Sequence, residues 1–127
     1  MNNQKNIVLC GVGGQGTVLA SKLLAAAAMS KDIPVMSAET IGMAQRGGSV
    51  FSHLRMGNDL YSPMIETGTA DLIIGFEPGE TVRMLPYLKT GGHVVVSTRA
   101  VKPVTATLSG FDYDAPQMLS LIHISEP

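Results

Sequence analysis

The residues of this chain best suited to chemistry lie in two glycine clusters. Gly11-Val12-Gly13-Gly14-Gln15-Gly16-Thr17 is the first and Gln45-Arg46-Gly47-Gly48 the second. The first follows an apolar run, Ile7-Val8-Leu9-Cys10, and precedes a helix-like run from Thr17 to Ser30. Strand, glycine turn and helix in that order leave unpaired backbone N–H groups at a helix N-terminus, where the helix dipole also draws anions. Binding of a nucleotide or another anion is the chemistry expected of Gly11, Gly13, Gly14, Gln15, Gly16 and Thr17. The same glycines would equally serve a tight turn that only lets the helix cross the strand closely. A dinucleotide site also wants an acidic residue at the end of the second strand, and Glu39 lies near that place. In the second cluster Arg46 offers a planar fork of donors for phosphate or carboxylate, beside a bare Gly47-Gly48 backbone. Taken alone, that loop also suits a solvated arginine.

The remaining reactive side chains read as structural. Cys10 is the only cysteine, so no intramolecular disulfide can form, and at the end of an apolar run it is expected to be a small buried residue. His53, His93 and His123 fall in different elements and share no metal-binding spacing. His53 is expected on the exposed face of its strand, beside a polar neighbour. Glu77 and Glu80, at a helix start, complement the helix dipole. No nucleophile–base pair can be assembled, so neither catalytic residues nor metal ligands are assigned.

The elements that must position these residues follow from periodicity. Ile7 to Cys10 reads as a strand buried on both faces. Thr17 to Ser30 carries Leu19, Leu23 and Ala26-Ala27 on one side, with Ala20, Leu24 and Ala28 adjacent, a wide apolar stripe for packing on a sheet. Ile33 to Ala38 is a second strand with Pro34 at its start, and Glu39 to Gly48 a polar connection. Ser49 to Met56 alternates as a half-buried strand, and Gly57-Asn58-Asp59 is a turn. Tyr61-Ser62-Pro63 starts another extended piece. Asp71 to Phe76 reads as a central strand, followed by a helix opening at Glu77-Pro78-Gly79-Glu80. Pro86 should break or kink that helix and Lys89 to Gly92 end it. His93 to Ser97 and an edge piece, Val101 to Leu108, complete the pattern. Strands alternating with helices predict an α/β fold, a Rossmann-like three-layer domain with a mostly parallel sheet, over residues 1–119. Residues 120–127 close no element. They read as an atypical tail, foreign to the natural sequence, on a C-terminally truncated domain.

Composition narrows the function classes. A net charge of −1 with 15% charged residues gives no electrostatic footing for nucleic acid or an anionic membrane. Without tryptophan, and with 5% aromatics, a base-stacking platform is also disfavoured. No apolar stretch approaches membrane-spanning length, and a cytoplasmic location is expected.

Gly11 to Gly16, the stretch from Ser37 to Val50, and Leu85-Pro86-Tyr87-Leu88 before Gly91-Gly92 together resemble one family. It is the gamma-type subunit of the 2-oxoacid:ferredoxin oxidoreductases, the pyruvate/ketoisovalerate oxidoreductase gamma family. Met43-Ala44-Gln45-Arg46-Gly47-Gly48 most resembles the indolepyruvate branch, where this subunit is called beta. The resemblance covers about Lys5 to Ser109. It implies an accessory, non-catalytic part of an enzyme that converts a 2-oxoacid and coenzyme A to acyl-CoA, CO2 and reduced ferredoxin. It further implies that thiamine diphosphate and iron–sulfur clusters are held by a partner catalytic subunit, with ferredoxin reached through the complex, and no cofactor by this chain alone. Gly11, Gly13, Gly14, Gly16 and Thr17 would shape one loop, and Gln45, Arg46, Gly47 and Gly48 would face the partner or coenzyme A. The alternative is a free-standing dinucleotide-binding module using Gly11 to Gly16 and Glu39.

Overall fold

The computed structural model describes residues 4–13, 16–41 and 49–97. Among the described residues five strands and two helices follow in the order β1 (Lys5–Val12), α1 (Thr17–Ser30), β2 (Val35–Ile41), β3 (Ser49–Met56), β4 (Ala70–Gly75), α2 (Pro78–Met84) and β5 (Leu88–Val96), with a 3-10 turn at Leu85–Tyr87. The strands form one sheet in the order β2-β3-β1-β4-β5. β1 pairs parallel with β4 and β4 with β5, whereas β3 lies antiparallel to both β1 and β2. Four strands therefore point one way, and β3 is wedged against them between β1 and β2.

Alternation along β1 sorts the core onto two faces, as the two-residue period of a strand requires. Ile7 and Leu9 join Leu54 on one face, packed against Ala20, Leu24 and Ala25 of α1. Val8 and Cys10 join Ile65, Ala70 and Ile73 on the other, packed against Met84, Tyr87 and Leu88. The three layers are thus α1, the sheet, and α2 with its 3-10 turn.

α1 spans the predicted residues but turns a different side to the sheet. Thr17, Ser21 and Ala28 are its buried residues, while Leu19 and Leu23 are 61% and 62% exposed. The helix is apolar almost all round, so periodicity could not choose the inward side. Small side chains on the chosen side let the helix approach closely. β2 also starts later and runs further than expected, taking in Glu39 and Ile41. Tyr61-Ser62-Pro63 forms no strand. Lys89 to Gly92, expected to end a helix, belong to β5 instead. A register irregularity between Ala70 and Leu72 absorbs the turn there, where Gly91 takes φ +83°. Of the two expectations for Pro86, a break or a kink, the break is seen: α2 stops at Met84, short of the expected end, and a 3-10 turn follows. Val101 to Leu108 and the tail 120–127 lie outside the described residues. No helix among the described residues is long and apolar enough to cross a membrane.

Candidate functional site

The carboxyl ends of β1 and β4 meet the starts of α1, β3 and α2. Val12, the last residue of β1, pairs with Ser49, the first of β3, and Gly11 pairs with Val50. The residue that closes the strand before the first glycine turn therefore lies beside the residue that directly follows Gln45-Arg46-Gly47-Gly48. Gly14, Gln15 and Gln45 to Gly48 themselves lie outside the described residues.

α1 begins at this edge. Its cap is Gly16, at φ +89°, a left-handed conformation that favours glycine, and no side chain caps the helix. Thr17 is 97% removed from solvent by its 3% exposure, yet its Oγ1 has no hydrogen-bond partner among the described residues. A buried hydroxyl left unpaired costs stability, so such a group at a helix start invites an external acceptor or donor.

α2 closes the edge from the other face. Glu77 caps it, its Oε1 accepting from the Glu80 N–H at 3.0 Å, and Pro78 takes the first helical position where no donor is needed. Thr81 Oγ1 donates to the Glu77 carbonyl at 2.7 Å, and Cys10 Sγ donates weakly to Thr81 Oγ1 at 3.9 Å. The helix sits so close to β4 that a Cβ on Gly75 would lie 1.7 Å from Thr81 Oγ1. Ser49 Oγ donates to Glu80 Oε1 at 2.8 Å, joining β3 to the first turn of α2.

Cys10 is buried, as expected, two residues before the end of β1. Burial pushes its thiol up to about 12; the Thr81 hydrogen bond lowers it somewhat, and the nearby Glu80 and Glu77 charges raise it. The thiolate needed for nucleophilic or metal chemistry is therefore absent near neutral pH.

Two expectations need correction. His53 is not on an exposed face: it is 1% exposed, wedged between Phe51 and Tyr87, and its Nδ1 accepts from the Ile65 N–H at 2.9 Å. The segment from Tyr61 to Thr69 folds over that face and buries it, which strand alternation alone could not reveal. Glu77 and Glu80 sit at a helix start as expected but are buried, at 0% and 3% exposure. The pair Ser49–Glu80 was not foreseen. The only sequence signal was a glutamate three residues after a capping position, a reciprocal-cap spacing.

Glu39 bears on the dinucleotide reading. It is exposed on β2 and pairs with Ser52 of β3, so a whole strand separates it from β1. Strands are spaced about 4.8 Å apart, which puts β2 roughly 10 Å from β1 instead of beside it. The acidic residue of a dinucleotide site belongs on the strand next to the glycine turn.

A cleft of about 530 Å³ lies at the opposite edge of the sheet among Lys5, Arg55, Asp71 and Lys89. Its groups satisfy one another. Asp71 accepts from Lys89 and from the Asn6 N–H, and Arg55 donates to Asn6 Oδ1 and the Ser62 carbonyl. Desolvation raises the Asp71 pKa, but the bonds to Lys89 and Asn6 and the charges of Lys89 and Lys5 outweigh it and hold the carboxyl below its ordinary value. This network clasps the 57–69 connection to the sheet. Among the described residues no group of three His, Cys, Asp or Glu could hold a metal ion.

Comparison with known proteins agrees with this architecture. The chain is 41% identical over 117 residues to the indolepyruvate oxidoreductase subunit IorB of Pyrococcus horikoshii, covering 92% of this chain and 58% of that subunit. It is 45% identical over 103 residues to the IorB subunit of Thermococcus kodakarensis, covering 81% and 51%. The chain thus spans about half the length of the curated relatives it matches. Among solved structures, the 2-oxoglutarate:ferredoxin oxidoreductase of Magnetococcus marinus, with 2-oxoglutarate, coenzyme A and succinyl-CoA bound, shares the fold at a TM-score of 0.66. The identity is 22%, over 76% of this chain and 16% of that one. The pyruvate ferredoxin/flavodoxin oxidoreductase family matches residues 6–122, and the chain belongs to that family.

Proposed function

We propose that this chain is the accessory, gamma-type part of a thiamine-dependent 2-oxoacid:ferredoxin oxidoreductase of the indolepyruvate kind. It lends its glycine-bearing sheet edge to the coenzyme A region of the assembled enzyme. One observation carries this reading: the pairing of Val12 with Ser49 sets the strand end before the first glycine turn beside the residue that directly follows Gly47-Gly48 in the sequence. The identity to two indolepyruvate oxidoreductase subunits supports the oxoacid class.

In the assembled enzyme, thiamine diphosphate and iron–sulfur clusters supply the decarboxylation and electron transfer, and a partner catalytic subunit holds them. A single cysteine with its thiol pushed up to about 12 is no cluster ligand set. What this chain offers is a binding surface. The first-turn N–H groups of α1 and the unpaired Thr17 Oγ1 suit a phosphate or another acceptor, and Arg46 suits a phosphate through paired donors. The buried Glu80 carboxylate at the same edge opposes an anion, so the edge suits a ligand whose charge is met mainly by arginine. Free nicotinamide and flavin nucleotides are expected to bind weakly or not at all, because Glu39 stands a strand too far from β1.

The test is steady-state kinetics on the complex with Arg46→Ala and Arg46→Lys, varying coenzyme A. Loss of a charge-assisted contact should cost about 1.5–3 kcal/mol, roughly ten- to a hundredfold in apparent affinity. Lysine, lacking the two-donor fork, should not restore it. Unchanged affinity for coenzyme A in an intact complex would return Arg46 to a solvated loop residue.

A further inference from the structure

The two helices do not cover the sheet equally. α1 packs on β1, β2 and β3, whereas α2 packs from the other side on β1, β4 and β5. Among the described residues, β4 and β5 therefore meet a helix on one face only. Strand alternation sets Leu72 and Ile74 of β4 on the other face, the α1 side, beside His93 and Val95 of β5, with which they pair. The contrast in burial is large: Ile73, on the α2 side, is 0% exposed and Val95 is 60% exposed.

Parallel strands such as β1, β4 and β5 carry apolar residues on both faces because helices cover both. Packed helices lie about 8–10 Å apart and strands about 4.8 Å, so one helix covers roughly two strands. β4 and β5 thus offer the width of one more helix in the α1 layer. Leu19 and Leu23, exposed and one helical turn apart on α1, give such a helix a second apolar partner. The polypeptide also leaves the sheet at this place. The Ser97 N–H donates to the Gly75 carbonyl at 2.8 Å, so the backbone is still beside β4 there, and residues 98–127 follow. This chain matches only 58% and 51% of the two IorB subunits, so their chains hold ample further polypeptide. A segment tethered next to an apolar face meets it at an effective concentration that a separate molecule does not reach. We propose that Leu72, Ile74, His93 and Val95, flanked by Leu19 and Leu23, form the docking site of an amphipathic helix from the polypeptide that follows Ser97 in the full-length subunit. That helix completes the α1 layer, and its docking does not depend on whether the glycine-bearing edge meets coenzyme A.

The test is thiol labelling of the full-length subunit, purified alone and carrying Val95→Cys or Tyr61→Cys, with each site read by mass spectrometry of its peptide. Tyr61, 89% exposed, is the unprotected reference. Under a docked helix Val95→Cys should react roughly a hundredfold or more slowly than Tyr61→Cys, because its thiol is reached only when the helix opens. The ratio should hold on dilution and in the absence of any partner. Val95→Asp is a second readout. A charge buried under the helix should lower the melting temperature of the subunit by about 5–10 °C, while Tyr61→Asp should leave it in place. Labelling of Val95→Cys at the reference rate, or a melting temperature that Val95→Asp leaves unmoved, would overturn the proposal. Protection that fades on dilution would assign the face to a second copy of the chain instead. Protection that arises only when the catalytic subunit is added would assign it to that partner.

Discussion

Two buried side chains set the behaviour of this molecule at the scale of single residues. His53 holds the segment that covers its strand by accepting the Ile65 N–H on Nδ1, which places the ring proton on Nε2. Burial lowers its pKa from the ordinary 6.5. A second proton on the ring must displace the Ile65 N–H, so the stabilisation is complete above pH 6.5 and is lost as pH falls from there through the lowered folded-state value. Thermal melts of the full-length chain between pH 7.5 and 5 are expected to show this loss. His53→Gln should flatten the slope while lowering stability at pH 7.5 by about 1–3 kcal/mol, the cost of disturbing a buried hydrogen bond. A slope that survives the substitution would assign it to other groups. Cys10 makes a simpler case. With its thiol pushed up to about 12 and 1% exposed, it should resist a thiol reagent in the native chain and react once in guanidinium. Rapid labelling of native protein would contradict that placement.

At the scale of elements, β4 and α2 are packed closely together. Alanine at Gly75 would put a methyl group inside Thr81, so the helix would have to lift from the sheet. Overpacking of this kind costs about 1–3 kcal/mol, and a denaturant midpoint measured on Gly75→Ala should fall accordingly. Because Thr81 anchors Cys10 and Glu77, the variant should also expose the thiol to reagent. An unchanged midpoint would mean that the helix stands further off. Elements with strong local signals were readable from the chain: α1 between its glycine turn and Ser30, β3 from its strict alternation, and α2 from Glu77-Pro78. What could not be read depended on tertiary placement. Nothing local says that β3 inserts antiparallel between β2 and β1, which removes Glu39 from the neighbourhood of β1. Nothing local says that residues 61–69 cover His53, or which side of a mostly apolar α1 turns inward. Ser49 and Glu80 lie 31 positions apart and meet only because β3 and α2 start at one sheet edge.

For the whole molecule, the proposed function is a division of labour between chains. This chain has a fold, a glycine-bearing edge and a family, but among its described residues neither a metal-binding group nor an accessible thiolate. Its relatives are subunits, and it matches about half of their length. Under the function proposed above, activity belongs to an assembly to which this chain contributes a binding surface. The most direct test is to purify the full-length chain and its partner catalytic subunit separately and together. Reduction of ferredoxin by a 2-oxoacid is then measured with and without coenzyme A, alongside the iron and thiamine content of each sample. The account predicts a colourless, iron-free and inactive isolated chain, and coenzyme A-dependent reduction that appears only when the two are combined. A partner that turns over at the full rate without this chain, or an isolated chain that carries iron–sulfur absorbance, would contradict it.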